Sequence, residues 1–298
     1  IIAINKRILL INCESESEAK LIDKLARKLK KKVSIGFRLN PNIDAKNHQK
    51  ISTGKAENKF GLSIKNFKFF YKTIKKYKHI KLDALSVHIG SQILSDVPYK
   101  KMLNVMSNLI RELQLDLKFL DLGGGFGISY NKKDKPIDLK KYSESVYKLA
   151  KKLKCKIIFE PGRSIIGDTG VLLSKIQYIK KGVKKDFVII DAGMNDFMRP
   201  ALYDAVHKII PTKKSNSKLK GVIEFVGPIC ESTCKFGSYK NYQKMNENDF
   251  VAITNVGAYG SSLSSNYNSR PLIAELLVNK NKLKYIRKKQ DLLKLINS

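Results

Sequence analysis

Tryptophan is absent from the 298 residues, and histidine and cysteine occur four times each. Cys13, Cys155, Cys230 and Cys234 are scattered rather than grouped as a framework, which argues against a disulfide scaffold and for a reducing, cytoplasmic setting. A metal site on Cys230 and Cys234 would need two further ligands at suitable spacing, and so few histidines supply none, so no metal is expected. No run of about 18 apolar residues occurs, so no membrane-spanning helix is expected. The opening Ile1-Ile2-Ala3-Ile4 carries no basic leader, no cleavage site and no initiator methionine, so no secretory signal is expected and a chain with a missing front end is. Acidic residues are scarce, 26 Asp and Glu against 58 Lys and Arg, giving a formal charge of +32. Arginine is scarce within that excess, 8 residues against 50 Lys. Readers of nucleic-acid sequence use bidentate Arg contacts, and the Lys here are spread over every amphipathic stretch. The charge is therefore read as solvated helix faces, with no specific nucleic-acid partner.

The first half alternates short apolar runs with amphipathic stretches. The runs are Ile8–Asn12, Ser34–Leu39, Ala84–Val87, Phe119–Leu122 and Ile157–Phe159. Apolar residues recur at helical spacing over Ala19–Lys30, Phe67–Tyr77, Lys100–Leu113 and Tyr142–Leu153. Strands that are apolar throughout, separated by helices, predict a parallel sheet buried on both faces. Five such units in succession fit the last five of the eight units of an α/β barrel. The texture changes after Ser164. Val171–Ile179, Phe187–Asp191, Gly221–Val226, Asp249–Thr254 and Leu272–Leu277 read as strands, with a short helix near Ala201–His207 and a polar loop over Lys213–Lys220. This predicts a mostly antiparallel β domain, with partial barrel over residues 1–166 and β domain over 167–298.

Polar residues cluster just past the strand ends, where barrels carry their chemistry. Gly123-Gly124-Gly125 lets backbone N–H groups approach an anion, although a tight turn alone would also use glycine. The spacing Gly-x-Gly-x-x-Gly of a dinucleotide site is absent. Glu160-Pro161-Gly162-Arg163 makes a rigid charged corner. It is either an internal ion pair or a cofactor grip, with Arg163 on an anion and Glu160 on a ring nitrogen that must stay protonated. His88 ends a strand and is followed by Gly90 and Ser91. It is either a structural histidine or a flat ring for stacking on an aromatic cofactor. Cys230 and Glu231 sit in a sharp turn after Gly227-Pro228 and suit a proton donor and an amine acceptor. Asn255–Gly260 is a glycine-bounded turn presenting Tyr259.

Taken together, His88-Ile89-Gly90-Ser91-Gln92, Leu122-Gly123-Gly124-Gly125-Phe126, Glu160-Pro161-Gly162-Arg163-Ser164, Asp191-Ala192-Gly193-Met194-Asn195, Met198–Tyr203, Gly227–Ser232 and Gly257-Ala258-Tyr259 resemble the diaminopimelate decarboxylases, in the family's order. These are pyridoxal-phosphate enzymes of the alanine-racemase-like fold. The resemblance spans the chain and implies decarboxylation of meso-2,6-diaminopimelate to L-lysine and CO2 by a homodimer. It implies that His88 stacks on the pyridine ring, and that Ser91, Gly123, Gly124 and Gly125 hold the phosphate with help from Arg163 and Tyr259. Glu160 pairs with the pyridine nitrogen. Arg163, Arg199 and Tyr203 receive the distal part of the substrate and its carboxylate. Cys230 and Glu231 enter from a partner subunit. Glu231 reads the D-configured amine at the far end, and Cys230, counted with His88 as catalytic, assists protonation.

One departure stands out. The family's Schiff-base lysine lies in a Tyr-Ala-x-Lys-Ala motif on the first barrel strand, and this sequence contains no such motif. Lys55 lies in a different loop and is not its substitute, so the lysine is expected upstream of the chain. Two other readings stay open here. One is an ornithine- or arginine-type decarboxylase, disfavoured because those relatives typically carry Asp after the Cys where this chain has Glu231. The other is a non-catalytic protein of the same fold.

Overall fold

The computed structural model describes residues 1–45, 53–54, 57–131 and 133–297. Lys55 lies outside the described residues. The chain divides into two compact units, one of residues 1–128 and 135–164, the other of residues 129–134 and 165–298.

The first unit opens with a short helix, α1 (Ile2–Asn5), and carries strands β1 (Ile11–Cys13), β2 (Val33–Asn40), β3 (Leu62–Ser63), β4 (Ile80–Val87), β5 (Phe119–Asp121) and β6 (Lys156–Ile158). Between them run α2 (Glu16–Lys28), α3 (Ile64–Ile74), α4 (Val97–Glu112) and α5 (Leu139–Leu153). The main strands pair in the order β1-β2-β4-β5-β6, all parallel, with β3 beside the end of β2. This is a run of five consecutive barrel units. Capping fixes where the helices start. Ser15 accepts from the Glu18 N–H while Glu18 accepts from the Glu14 N–H, a capping box at the head of α2. Ser63 caps α3 and Asp138 caps α5 in the same way. α5 ends at Lys154 in the left-handed region, φ 53°. The helices turn Phe67, Phe70, Tyr99, Met102, Met106 and Val146 onto Phe37, Leu85 and Leu120 of the strands. Phe67 is fully buried, and its replacement by Ala would cost about 3–5 kcal/mol.

The second unit holds the short α6 (Arg163–Ile166) in part and strands β7 (Val171–Lys180), β8 (Asp186–Ile190), β9 (Ile209–Pro211), β10 (Val222–Val226), β11 (Lys235–Lys240) and β12 (Phe250–Thr254) in the order β11-β10-β8-β7-β12-β9. All neighbours are antiparallel except β8 and β10, which run parallel. A separate hairpin pairs β13 (Glu275–Asn279) with β14 (Lys282–Arg287). The sheet core is Ile176, Val188, Ile190, Ile223, Phe225, Val251 and Ile253. The short helix α7 (Arg199–Tyr203) begins earlier and ends sooner than the periodicity predicts, because Asp204 turns left-handed at φ 52°. The last five residues of helix, α8 (Leu292–Ile296), follow the hairpin. No described helix is long and apolar enough to cross a membrane.

Candidate active site

In the first unit the predicted residues converge at the C-terminal ends of β4, β5 and β6. Asp121, the last residue of β5, is buried. It accepts from the Gly123 N–H at 2.9 Å, from Ser86 Oγ at 3.0 Å and from Asn12 Nδ2 at 3.4 Å. Three strand ends are thus tied to one carboxylate, which sets the start of the glycine turn. Gly123 (φ 62°) and Gly125 (φ 91°) take the left-handed conformation that disfavours side chains. A Cβ on Gly123 would lie 2.6 Å from the Val87 carbonyl oxygen, one on Gly124 2.1 Å from that of Glu160, and one on Gly125 2.2 Å from that of Gly90. The buried Tyr99 hydroxyl donates to the Gly124 carbonyl at 3.0 Å, and burial pushes its phenol far above its ordinary range. The turn is therefore a rigid cradle in which only glycine fits.

His88 lies against this cradle. The Gly124 N–H donates to His88 Nδ1 at 3.2 Å, which leaves the ring proton on Nε2. Burial lowers the His88 pKa, the Arg38 guanidinium lowers it further, and Asp121 opposes both. The ring is thus held as a neutral imidazole. Glu160 is bound to the same turn through its N–H on the Gly123 carbonyl at 2.9 Å. Its carboxyl is raised above the ordinary value by lost hydration and then by repulsion from Asp121, with Arg38 opposing. Arg163 is buried, and its Nη2 donates to Ser91 Oγ at 3.2 Å. Gln92 pairs both ways with the Ile128 backbone, at 2.7 and 3.2 Å, and so pins the loop after Ser91. Arg38 is itself held by Glu14 Oε1 at 2.8 Å, and Glu14 Oε2 accepts from the Gly61 N–H at 2.9 Å.

This donor set fits pyridoxal phosphate. A side-chain-free cradle, a hydroxyl and a buried guanidinium suit a phosphate, a flat neutral ring suits a pyridine face, and a carboxylate whose charge gains from a nearby cation suits a cationic ring nitrogen.

In the second unit three of the sequence motifs pack into one small cluster of Met194, Ile229 and Cys234, with Met198 and Ala201 against it. The Met194 N–H points to Cys234 Sγ at 3.3 Å. Cys230 and Glu231 are exposed beside this cluster. Glu231 accepts from the Tyr267 hydroxyl and from Thr233 Oγ1. Arg199 is buried at the start of α7, its guanidinium carbon 5.2 Å from the Tyr130 ring centroid, and Tyr203 is half-buried at the end of that helix. Tyr259 is exposed in its turn with φ 65°. Ser174 Oγ and the Lys175 N–H bind Asp191.

Several participants escape sequence reading. Arg270 donates to Asn195 Oδ1 at 3.1 Å and to the Asp191 carbonyl at 2.8 Å. Asp196 accepts from the Gly193 N–H at 2.8 Å, and burial raises its pKa. Asp121 serves likewise in the first unit. An acid directly before a glycine turn is the one local signal that could have found Asp121.

Residues 2–167 match the pyridoxal binding domain of the pyridoxal-dependent decarboxylases. The chain is 38% identical over 292 residues to diaminopimelate decarboxylase of Aquifex aeolicus, covering 97% of this chain and 69% of that protein. It is 41% identical over 294 residues to the diaminopimelate decarboxylase of Helicobacter pylori, covering 97% and 72%. The crystal structure of the Helicobacter pylori diaminopimelate decarboxylase complexed with L-lysine superposes with a TM-score of 0.91 at 40% identity, covering 99% of this chain and 74% of that one. With the cradle, the fixed imidazole and the charged corner all present in the unit that matches the pyridoxal binding domain, the chain belongs to the diaminopimelate decarboxylases, a family of pyridoxal-dependent enzymes.

Proposed function

We propose that this chain decarboxylates meso-2,6-diaminopimelate to L-lysine and CO2 with pyridoxal phosphate. The observation that carries this reading is the seat in the first unit, where the glycine cradle is joined by direct hydrogen bonds to the neutral His88 and to Glu160, and where Arg163 donates to Ser91. When bound, the cofactor supplies an electron sink for the pair left behind as CO2 departs. Gly123, Gly124, Gly125 and Ser91 would hold its phosphate, assisted by Arg163 and Tyr259. His88 would offer its flat face to the ring, and Glu160 would keep the ring nitrogen protonated.

At the other end of the substrate, Arg199 and Tyr203, with Arg163, take the distal carboxylate, and Glu231 takes the distal amine. The stoichiometry corrects the hand expected for that amine. Losing its carboxylate abolishes a carbon's stereocentre, and the product is L-lysine. The reacting end is therefore the D centre, and the pole read by Glu231 is L-configured. Cys230 delivers the proton from Sγ to the carbon that has lost its carboxylate. Because Cys230 and Glu231 are exposed on this chain, they are suited to serve the site of a second copy, which makes the working unit a homodimer. The enzyme is read as working in a reducing, cytoplasmic setting.

The test is CO2 release from meso-diaminopimelate by the protein expressed from its complete reading frame with pyridoxal phosphate, beside L-ornithine and L-arginine. Turnover of diaminopimelate alone, abolished in Glu231→Ala, is expected. Preferred turnover of ornithine or arginine would overturn the assignment.

A further inference from the structure

Arg199 is buried, and a buried guanidinium is costly unless its surroundings compensate its charge and donors. Those surroundings form a chain of contacts. The Arg199 guanidinium carbon lies 5.2 Å from the Tyr130 ring centroid. Tyr130 meets His207 edge-on at 4.9 Å and 72°, and His207 meets Phe197 edge-on at 4.6 Å and 84°. His207 is 1% exposed, and its Nδ1 is 2.9 Å from the Thr254 carbonyl oxygen. A carbonyl only accepts, so Nδ1 carries a proton and the ring cannot rotate about χ2 without losing the bond. The backbone around it is pinned too, since the Tyr239 hydroxyl donates to the His207 carbonyl at 3.1 Å.

Tyr130 reaches this place on a six-residue segment, 129–134, that belongs to the second unit by its contacts while its flanks belong to the first. The segment is clasped. Asp134 Oδ2 accepts from the Tyr130 and Asn131 N–H groups at 2.9 and 3.2 Å. Asn255 Nδ2 donates to the Ser129 carbonyl at 3.0 Å. The end of β12 therefore anchors both partners of the stack, Thr254 holding His207 and the adjacent Asn255 holding the Tyr130 segment.

We propose that Tyr130 and His207 are positioning residues that aim Arg199 at the distal carboxylate of the substrate. The pair makes preference for a diacid depend on an aromatic stack rather than on the arginine alone. This rests on the assignment of Arg199 in the proposed function. The requirement at position 130 is for a ring face, which only an aromatic side chain supplies to a planar cation. The requirement at 207 is for a ring whose rotation is locked by a donor.

The product L-lysine keeps the distal carboxylate and 1,5-diaminopentane lacks it, so inhibition by the two separates carboxylate recognition from general damage. In the full-length holoenzyme, Tyr130→Leu is expected to raise the KM for meso-diaminopimelate and the Ki for L-lysine about tenfold, with kcat within about twofold and the Ki for 1,5-diaminopentane unchanged. Tyr130→Phe, which keeps the face, restores both constants. His207→Leu shifts them in the same direction as Tyr130→Leu. Arg199→Gln separates the two levels. If it raises the Ki for L-lysine while Tyr130→Leu does not, the positioning role is refuted and Arg199 keeps its assignment. If Arg199→Gln leaves that Ki unchanged, both fall. An equal rise of both inhibitors' constants in Tyr130→Leu would reduce the stack to ordinary packing and overturn the proposal.

Discussion

Gly124→Ala should separate the cofactor from its seat. The added Cβ would lie 2.1 Å from the Glu160 carbonyl oxygen and 2.9 Å from its carbonyl carbon. A carbon and a carbonyl oxygen settle at about 3.3 Å or more, so the two backbones must part by roughly 1.2 Å. They are not free to do so, because the Glu160 N–H is bound to the Gly123 carbonyl at 2.9 Å and the Tyr99 hydroxyl holds the Gly124 carbonyl. Overpacking of about 1–3 kcal/mol plus one weakened hydrogen bond of about 1 kcal/mol gives a stability loss of about 2–4 kcal/mol. A misplacement of about 1 Å at a positioning site corresponds to a loss of about 100-fold, which is the expected fall in catalytic efficiency. The assay is absorbance titration of pyridoxal phosphate, with CO2 release and thermal melts of the same preparations. Gly221→Ala is the comparison, since Gly221 also has a positive φ, 85°, but open space where its Cβ would go. It should lower the melting temperature slightly and leave the titration alone. A Gly124→Ala protein that binds cofactor as tightly as the parent would refute the idea that this turn is a seat rather than a bend.

Glu160→Gln should stabilise the cofactor-free protein above pH 5 while weakening its hold on pyridoxal phosphate. A raised folded pKa means stability that is present below the ordinary value of 4.5 and lost as pH rises through the folded value. Melts with and without cofactor check both signs. His88 behaves in the opposite sense. Its lowered pKa gives stability that is complete above the ordinary value of 6.5 and lost as pH falls below it, so His88→Gln should flatten the acid side of the melting profile between pH 7.5 and 5. Mixing inactive His88→Ala with inactive Glu231→Ala subunits should restore part of the decarboxylase activity, up to about a quarter if dimers re-form at random with two independent sites. No recovery after subunit exchange, with dimers present, would refute action across the interface.

The parallel strands were legible because β2 and β4 are buried on both faces over Ile35–Phe37 and Ala84–Val87, so that apolar residues there do not alternate with exposed ones. The glycine turn and the Glu160–Arg163 corner were legible because each sits directly after such a run. Other elements left weaker marks. β11 buries Phe236 among lysines and a glycine, so its alternation is masked by the lysine bias. β1 starts at Ile11 rather than Ile8, since Lys6 to Leu10 form a turn after α1. The stretch from Leu272 runs irregularly until Glu275, where β13 begins. In the site, what escaped was whatever depends on distant partners. Asn195 and Arg270 are 75 residues apart, and Ser86 and Asp121 are 35 apart. No local pattern marks Tyr130 as part of the second unit, because six residues are too few to carry a periodicity of their own.

Asp121 has a consequence for how much of this protein a cell holds. Its buried carboxylate fastens three strand ends, yet it also repels Glu160 and so leaves a second acid in an unfavourable field. On the proposed seating, a ring with a cationic nitrogen would supply a counter-charge in that field. The cofactor would then act as a structural ligand as well as a reagent, favouring the folded state by mass action. A cell short of it would lose the enzyme to unfolding and proteolysis as well as to idleness, so that abundance and activity fall together.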